Sequence, residues 1–254
     1  MTSLSDYEAQ IVRNIAAWKA EKISLYGRIA NGATKPIANI FGRMIPNSVG
    51  VHGISAAYAA TGWMTGADEI LKRSGVASLD ELHAKPLQFC DQMAGQIDRG
   101  SQAFAAVDGA ITGAGGFLLA AADVVALTMI VLRAIRQTGH CYGFSLDRPQ
   151  DRPYVLGILM VACTRSPAER LELYGKLADI EKWWMNQAVE ATLIEGLSRQ
   201  LLKLASLEAI PGIGAVLGST ANLAFCRHVT RAARCIFQER WLTERNKIPG
   251  RNPE

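Results

Sequence analysis

Apolar positions recur along this chain at helical rather than strand spacing. Ile11, Ile15, Trp18 and Ile23 share one face behind Ser5-Asp6-Tyr7-Glu8, a capping-box pattern in which a Ser hydroxyl and a Glu three residues on satisfy free amides at a helix start. Ser78-Leu79-Asp80-Glu81 repeats it, and Ser166-Pro167-Ala168-Glu169 puts Pro at the first helical position, where its missing N–H costs nothing. Leu171, Tyr174, Leu177, Ala178, Leu197 and Leu201 continue the stripe, predicting one long helix over 167–206 or two broken near Gly196. No run of alternating β-branched residues occurs. The apolar stretch 155–162 fits a buried helix as well as a strand. Residues 143–153, GFSLDRPQDRP, carry two prolines and no apolar period, so they read as a loop. The glycine-dotted stretch 31–66 reads as short or irregular helices. The pattern predicts an all-α fold, a single-domain multi-helix bundle over 1–254 with about eight to ten helices.

Two segments share one pattern. ITGAGGFLLAAAD (111–123) and IPGIGAVLGSTAN (210–222) both follow I-x-G-x-G-x-x-L-x-x-x-A-[DN], 99 residues apart, and close on Asp123 and Asn222. They predict central Gly-rich apolar helical hairpins. An unpaired buried carboxylate is very costly, so Asp123 must be protonated, cap a helix or meet a cation. Arg133 stands ten residues on, about 15 Å along one helix, too far for a direct pair. Arg227 or Arg231, just after Asn222, could reach Asp123 if the two repeats pack together.

The run 111–132 is long enough for a bilayer span, but Asp123 sits at its middle, where an acid costs about 2.5–3.5 kcal/mol on insertion scales. The second run, 209–225, is broken by Pro211 and Asn222. A buried hairpin in a bundle is the plainer reading; partial insertion or membrane docking is the rival.

Composition then narrows the class. The chain has 254 residues, 49% hydrophobic and 20% charged, which excludes a disordered chain. The N-terminal stretch lacks an apolar signal core, so a cytoplasmic or inner-face location is expected. Five scattered cysteines without a C-x-x-C pair read as reduced, buried small residues. The net charge is +4, and residues 227–254 alone hold seven Lys/Arg against three Glu. That stretch reads as a basic C-terminal helix and tail. Arg227, Arg231 and Arg234 fall on one helical face, a device for contact with anionic lipid, while a solvated face of a core helix is the plain alternative. With little aromatic interleaving, nucleic acid is not expected as a partner. Trp183-Trp184 leans toward an interface.

Recognised chemistry is sparse. Gly113-Ala114-Gly115-Gly116 runs into Phe117-Leu118, not the Lys-Ser/Thr that a phosphate loop needs, and no strand precedes it. His52 and Ser55 lie in no G-x-S-x-G elbow. The four histidines never reach H-E-x-x-H spacing, so no metal or cofactor is expected. Asp68-Glu69 and Asp80-Glu81 sit where acids favour helix starts.

The Ala-Ala-Asp123-Val-Val stretch, the Leu132-Arg133-Ala-Ile135 helix ending at Cys141-Tyr142-Gly143-Phe144, and Ile210-Pro211-Gly-Ile-Gly214-Ala215-Val-Leu-Gly218 with Asn222 and Phe225 resemble the EcsC family, as does the Glu8…Trp18-Lys19 helix. The resemblance implies a bacterial helical protein, cytoplasmic or peripheral on the inner membrane, in a family whose founding member is encoded beside an exporter-type ABC transporter. It implies no agreed activity and no catalytic residue. The candidate polar group is Asp123, Asn222, Arg133 and Tyr142; the candidate membrane or anion contacts are Arg227, Arg231 and Arg234. The expectation is a non-enzymatic accessory protein bound to lipid or an ABC transporter component. The rivals are a hydrolase using Asp123 and a membrane-inserting helical protein.

Overall fold

The computed structural model describes residues 3–22, 66–112, 117–164, 166–182, 192–197 and 214–249, with the backbone alone at 101–112, 117–125, 149, 178–182 and 214–222. Every described element is helical: α1 (Asp6–Ala20), α2 (Asp68–Ser74), α3 (Leu79–His83), α4 (Leu87–Thr112), α5 (Phe117–Cys141), a 3-10 turn (Pro149–Asp151), α6 (Arg152–Ala162), α7 (Pro167–Lys182) and α8 (Gly214–Glu244). The stretch 31–65, Trp183-Trp184, residues 113–116 and residues 211–212 lie outside the described residues.

The starts form as the side chains dictate. Ser5 N–H donates to Glu8 Oε2 at 2.8 Å and Glu8 N–H to Ser5 Oγ at 3.2 Å, a complete capping box. At α3 only half of it closes: Glu81 N–H donates to Ser78 Oγ, but the Glu81 carboxylate accepts from Ala77 N–H one residue further out. Glu169 N–H donates to Ser166 Oγ at 3.1 Å, opening α7 on Pro167. Asp68 and Glu69 occupy the first turn of α2, and Asp80 and Glu81 that of α3, where the partial positive charge favours them.

At the centre α4 and α8 make the most extensive contact, and α5 lies against both. Asp91 near the start of α4 meets Gln238 near the end of α8, and Asp98 meets Arg234, so these two helices run antiparallel. Helix α6 rests on α5 and α8, α7 on α6, and α1 bridges α7 and α8. Tyr154, Val155, Leu156, Ile158, Leu159, Val161 and Ala162 are all buried, so α6 shows no apolar stripe because it has no solvent side. The expected 143–153 loop is shorter: it yields to the 3-10 turn at Pro149, and α6 starts at Arg152 with Pro153 in its first turn. Gly139 lets this loop seat. A Cβ there would stand 2.3 Å from Leu146 Cδ1 and 2.9 Å from Phe237 Cζ.

Helix α7 is tied to α1 by Arg170, which is 2% exposed. Its guanidinium donates to Trp18 O, which also accepts from Glu21 N–H, and, at 3.2 Å, to Glu21 O, just beyond the end of α1. All five cysteines are free and buried. Among the described residues no helix is long and apolar enough to cross a membrane.

Candidate functional site

A buried polar group of the described core is centred on Asp91, on the apolar face of α4 among Leu87, Cys90, Met93 and Ala94. The Tyr7 hydroxyl, from α1, donates to Asp91 Oδ2 at 2.6 Å. The Tyr142 hydroxyl, from the turn after α5, donates to Oδ1, as does Gln238 Nε2 from α8 at 2.7 Å. Arg234 Nη2 stands 3.8 Å from the same Oδ1. Three segments therefore converge on one carboxylate, and three hydrogen bonds plus a cation offset the cost of burying it. Burial pushes both phenols up and the Asp91 charge adds to it, so Tyr7 and Tyr142 remain donors across the ordinary pH range. Burial likewise holds the neighbouring Cys90 thiol up at about 12, leaving it neutral and unreactive.

One helical repeat further along α4, Asp98 takes the other half of the same arginine. Arg234 Nη1 donates to Asp98 Oδ2 at 3.1 Å, while the Thr230 hydroxyl beside it donates to the Arg227 carbonyl at 3.3 Å. Asp98 Oδ1 accepts nothing among the described residues. Burial raises the Asp98 carboxyl, and the Arg234 charge only partly opposes it. For Arg234 the balance reverses: burial lowers it, but Tyr142, Asp98 and Asp91 together raise it further, fixing the guanidinium as a cation.

The α8 contribution is a single row, Cys226, Thr230, Arg234 and Gln238, at steps of four residues. Such an i, i+4 ridge seats on a neighbouring helix. Asn222 occupies the preceding position of that row by helical register. Its side chain and that of Asp123 lie outside the described residues, so the proposed meeting of the repeat ends, and of Asp123 with Arg227 or Arg231, lies there too. Tyr142 is in the centre. Arg133 is not: it faces Glu69 of α2 at 3.7 Å. The three arginines separate. Arg227 and Arg231 are exposed, and Arg231 pairs with Glu21 at 2.7 Å, whereas Arg234 turns into the α4 seam. Val229, Ala232, Ala233 and Ile236 are buried on the far side of α8, as the helical spacing requires.

Sequence reasoning passed over Asp91, Asp98 and Gln238. The signals were an acid sharing the Leu87–Cys90–Ala94 face, and the four-residue polar row on α8. Chemically, the Asp91 oxygens are occupied by protein donors, which leaves this carboxylate poorly placed to take a proton from a substrate. Among the described residues no three His, Cys, Asp or Glu side chains stand together as metal ligands would. A lesser polar contact lies beside the 142–148 loop. Buried Arg136 donates to Asp147 Oδ1 at 2.8 Å, while His140 Nε2 is 3.3 Å from Asp147 Oδ2 without hydrogen-bond alignment.

Comparison with known proteins adds a relationship. The model of the EcsC protein family matches residues 9–242. The chain is 24% identical over 189 residues to "Uncharacterized protein YdbA" of Bacillus subtilis (strain 168), covering 70% of this chain and 67% of that protein. It is 29% identical over 145 residues to "Protein EcsC" of the same strain, covering 56% of this chain and 60% of that one. No solved structure matches.

Proposed function

Since the chain belongs to the EcsC protein family, we propose that it is a non-enzymatic helical accessory protein that docks at the cytoplasmic face of the bacterial membrane through anionic lipid. The observation that carries the first half is the occupancy of Asp91: this buried acid is used internally by Tyr7, Tyr142, Gln238 and Arg234. The second half is supported by Arg227 and Arg231, which stand outside on α8. Arg231 and its partner Glu21 have side chains 54% and 42% exposed, so a lipid phosphate can compete for that arginine. Surface cations of this kind each contribute about 1 kcal/mol near an anionic leaflet, and salt weakens them.

Cosedimentation with vesicles of phosphatidylcholine, with and without phosphatidylglycerol, tests this reading. Binding is expected only with the anionic lipid, released by salt and lost in Arg227→Glu/Arg231→Glu. Absence of binding to the anionic vesicles would sink the lipid reading and turn the search to an ABC transporter component by copurification. Retention through a carbonate wash would favour insertion instead. The hydrolase alternative is checked with Asp123→Asn: cellular function lost while the fold stands would revive it.

A further inference from the structure

The end of α3, the turn after α5 and the end of α8 meet at His83, and the chemistry of that meeting depends on one proton. His83 Nδ1 is 2.9 Å from the Tyr142 carbonyl oxygen. A carbonyl only accepts, so Nδ1 carries the hydrogen and the neutral ring keeps its lone pair on Nε2. Arg245 Nη1 stands 3.2 Å from that Nε2 as a donor. Glu244 Oε2 stands 3.4 Å from the same nitrogen, and a carboxylate can be used there only when Nε2 bears a hydrogen. One ring nitrogen thus faces a cation and an anion at similar range. We propose that His83 is a proton-operated clasp: neutral, it accepts from Arg245; protonated, it releases Arg245 and donates to Glu244, loosening the chain that follows α8.

The surroundings favour a switch between those two partners. Arg240 holds Glu244 Oε1 at 2.9 Å and leaves Oε2 toward the ring. Burial would raise the Glu244 carboxyl, but His83 and Arg240 hold it below its usual range, so it is ionised when a histidine titrates. Glu81 of α3 faces Lys85, two residues beyond the helix end, at 3.9 Å. Two further groups act on Arg245: Cys90 of α4, neutral because of burial, and Glu8 of α1, already held by Lys247 at 2.7 Å. Phe144 meets the His83 ring edge-on at 5.2 Å, and Arg240 lies over the far side of that phenyl.

Arg245 is the moving part. Its guanidinium lies 3.7 Å from the Trp241 ring centroid and donates to the His83 carbonyl oxygen. A new positive charge on the imidazole removes its acceptor and repels it at once. The other side of the clasp is closely packed. Gly143 has φ 79°, and a Cβ there would stand 2.4–2.5 Å from the Cβ, Cα and N of His83, so the turn after α5 lies directly on the His83 backbone.

Hydrogen exchange of the purified full chain at about pH 7.5 and about pH 5.5, corrected for intrinsic exchange, tests the clasp across the range where histidine changes charge. Protection over 243–249 should fall severalfold at the acid end. His83→Gln should keep its neutral value at both, since its amide can donate to Tyr142 O and accept from Arg245. An acid response equal in His83→Gln, or none in the wild type, overturns the proposal. If circular dichroism shows that His83→Gln does not fold, Glu244→Gln decides. Its transition moves to lower pH, and an unmoved one overturns the clasp. No lipid enters this experiment, so it stands or falls apart from membrane docking.

Discussion

Asp91 and Asp98 lie seven residues apart on one face of α4 and share one arginine, yet they are different objects. Asp91, 3% exposed at its side chain, receives two phenols and an amide besides Arg234. Asp98, 14% exposed, has Arg234 on one oxygen and nothing among the described residues on the other. The more deeply buried acid is the better satisfied one. What decides the cost of a buried carboxylate here is the number of donors aimed at it, more than its depth.

The largest expected effect is the loss of Asp91. Asp91→Ala leaves two hydroxyls and an amide facing an empty space and removes half of the Arg234 counter-charge. It should cost about 3–5 kcal/mol by chemical denaturation, the range for breaking a buried pair. Asp98→Asn, which keeps shape and removes charge, should cost under about 1 kcal/mol, because a burial penalty disappears along with the attraction to Arg234. Equal losses at the two positions would refute the distinction.

Acid sharpens the same contrast. The Asp98 carboxyl is raised in the folded protein, so between its ordinary value and the raised one the folded state holds more protons than the unfolded chain. Stability contributed there falls as pH rises through that window, the opposite of a normal salt-bridged acid. Glu8, Asp147 and Glu244 have the usual sign: each is held low despite burial, and what it contributes is lost as pH falls below the ordinary carboxylate range. The difference between wild type and Asp98→Asn, measured by denaturation from about pH 4 to about pH 7, should therefore shift in favour of the variant as pH rises. A difference flat in pH would show that Asp98 titrates like the unfolded chain.

Next in size is Tyr142→Phe, which withdraws one of three donors from Asp91. A hydrogen bond to a buried charge sets the expected loss at about 1.5–3 kcal/mol. Tyr7→Phe, whose hydroxyl is only part-buried, should lose less. The double variant should exceed the sum, because the second removal leaves only Gln238 and Arg234 for the charge. Strict additivity would mean that the two phenols act on Asp91 independently.

The sequence made parts of this legible for reasons that also mark where it stopped. Ser5 with Glu8, and Ser166 before Pro167, announce helix starts because capping is local: the atoms that satisfy each other are three residues apart. The all-α fold follows from spacing alone. Tyr142 drew notice through a family resemblance, but its partner Asp91 sits 51 residues away, and no local pattern joins a lone acid on α4 to a turn after α5. Asp91 and Asp98 drew no notice, because a single acid on an amphipathic helix is usually a solvated charge. The arginine row was seen, but its fate depends on its neighbours. Arg227 and Arg234 point within about 20° of each other around α8, so the pattern does not tell that Arg234 meets Asp91 and Asp98 of α4 while Arg227 is exposed.

That last contrast gives the smallest expected effect on stability. Arg231 and Glu21 form a 2.7 Å pair with both side chains well in solvent. Long side chains in such a pair lose freedom for a screened attraction, so exposed pairs contribute about 0–1 kcal/mol. Arg231→Ala should leave the denaturation midpoint within about 0.5 kcal/mol of wild type, whereas Arg234→Ala strips both α4 carboxylates of their cation and should rank with Asp91→Ala. If membrane docking runs through this face of α8, Arg231→Ala also lowers binding to anionic vesicles while the fold is unchanged. A stability loss at Arg231 comparable to that at Arg234 would mean that Arg231 too is built into the fold, and its part in a surface contact would then fall away.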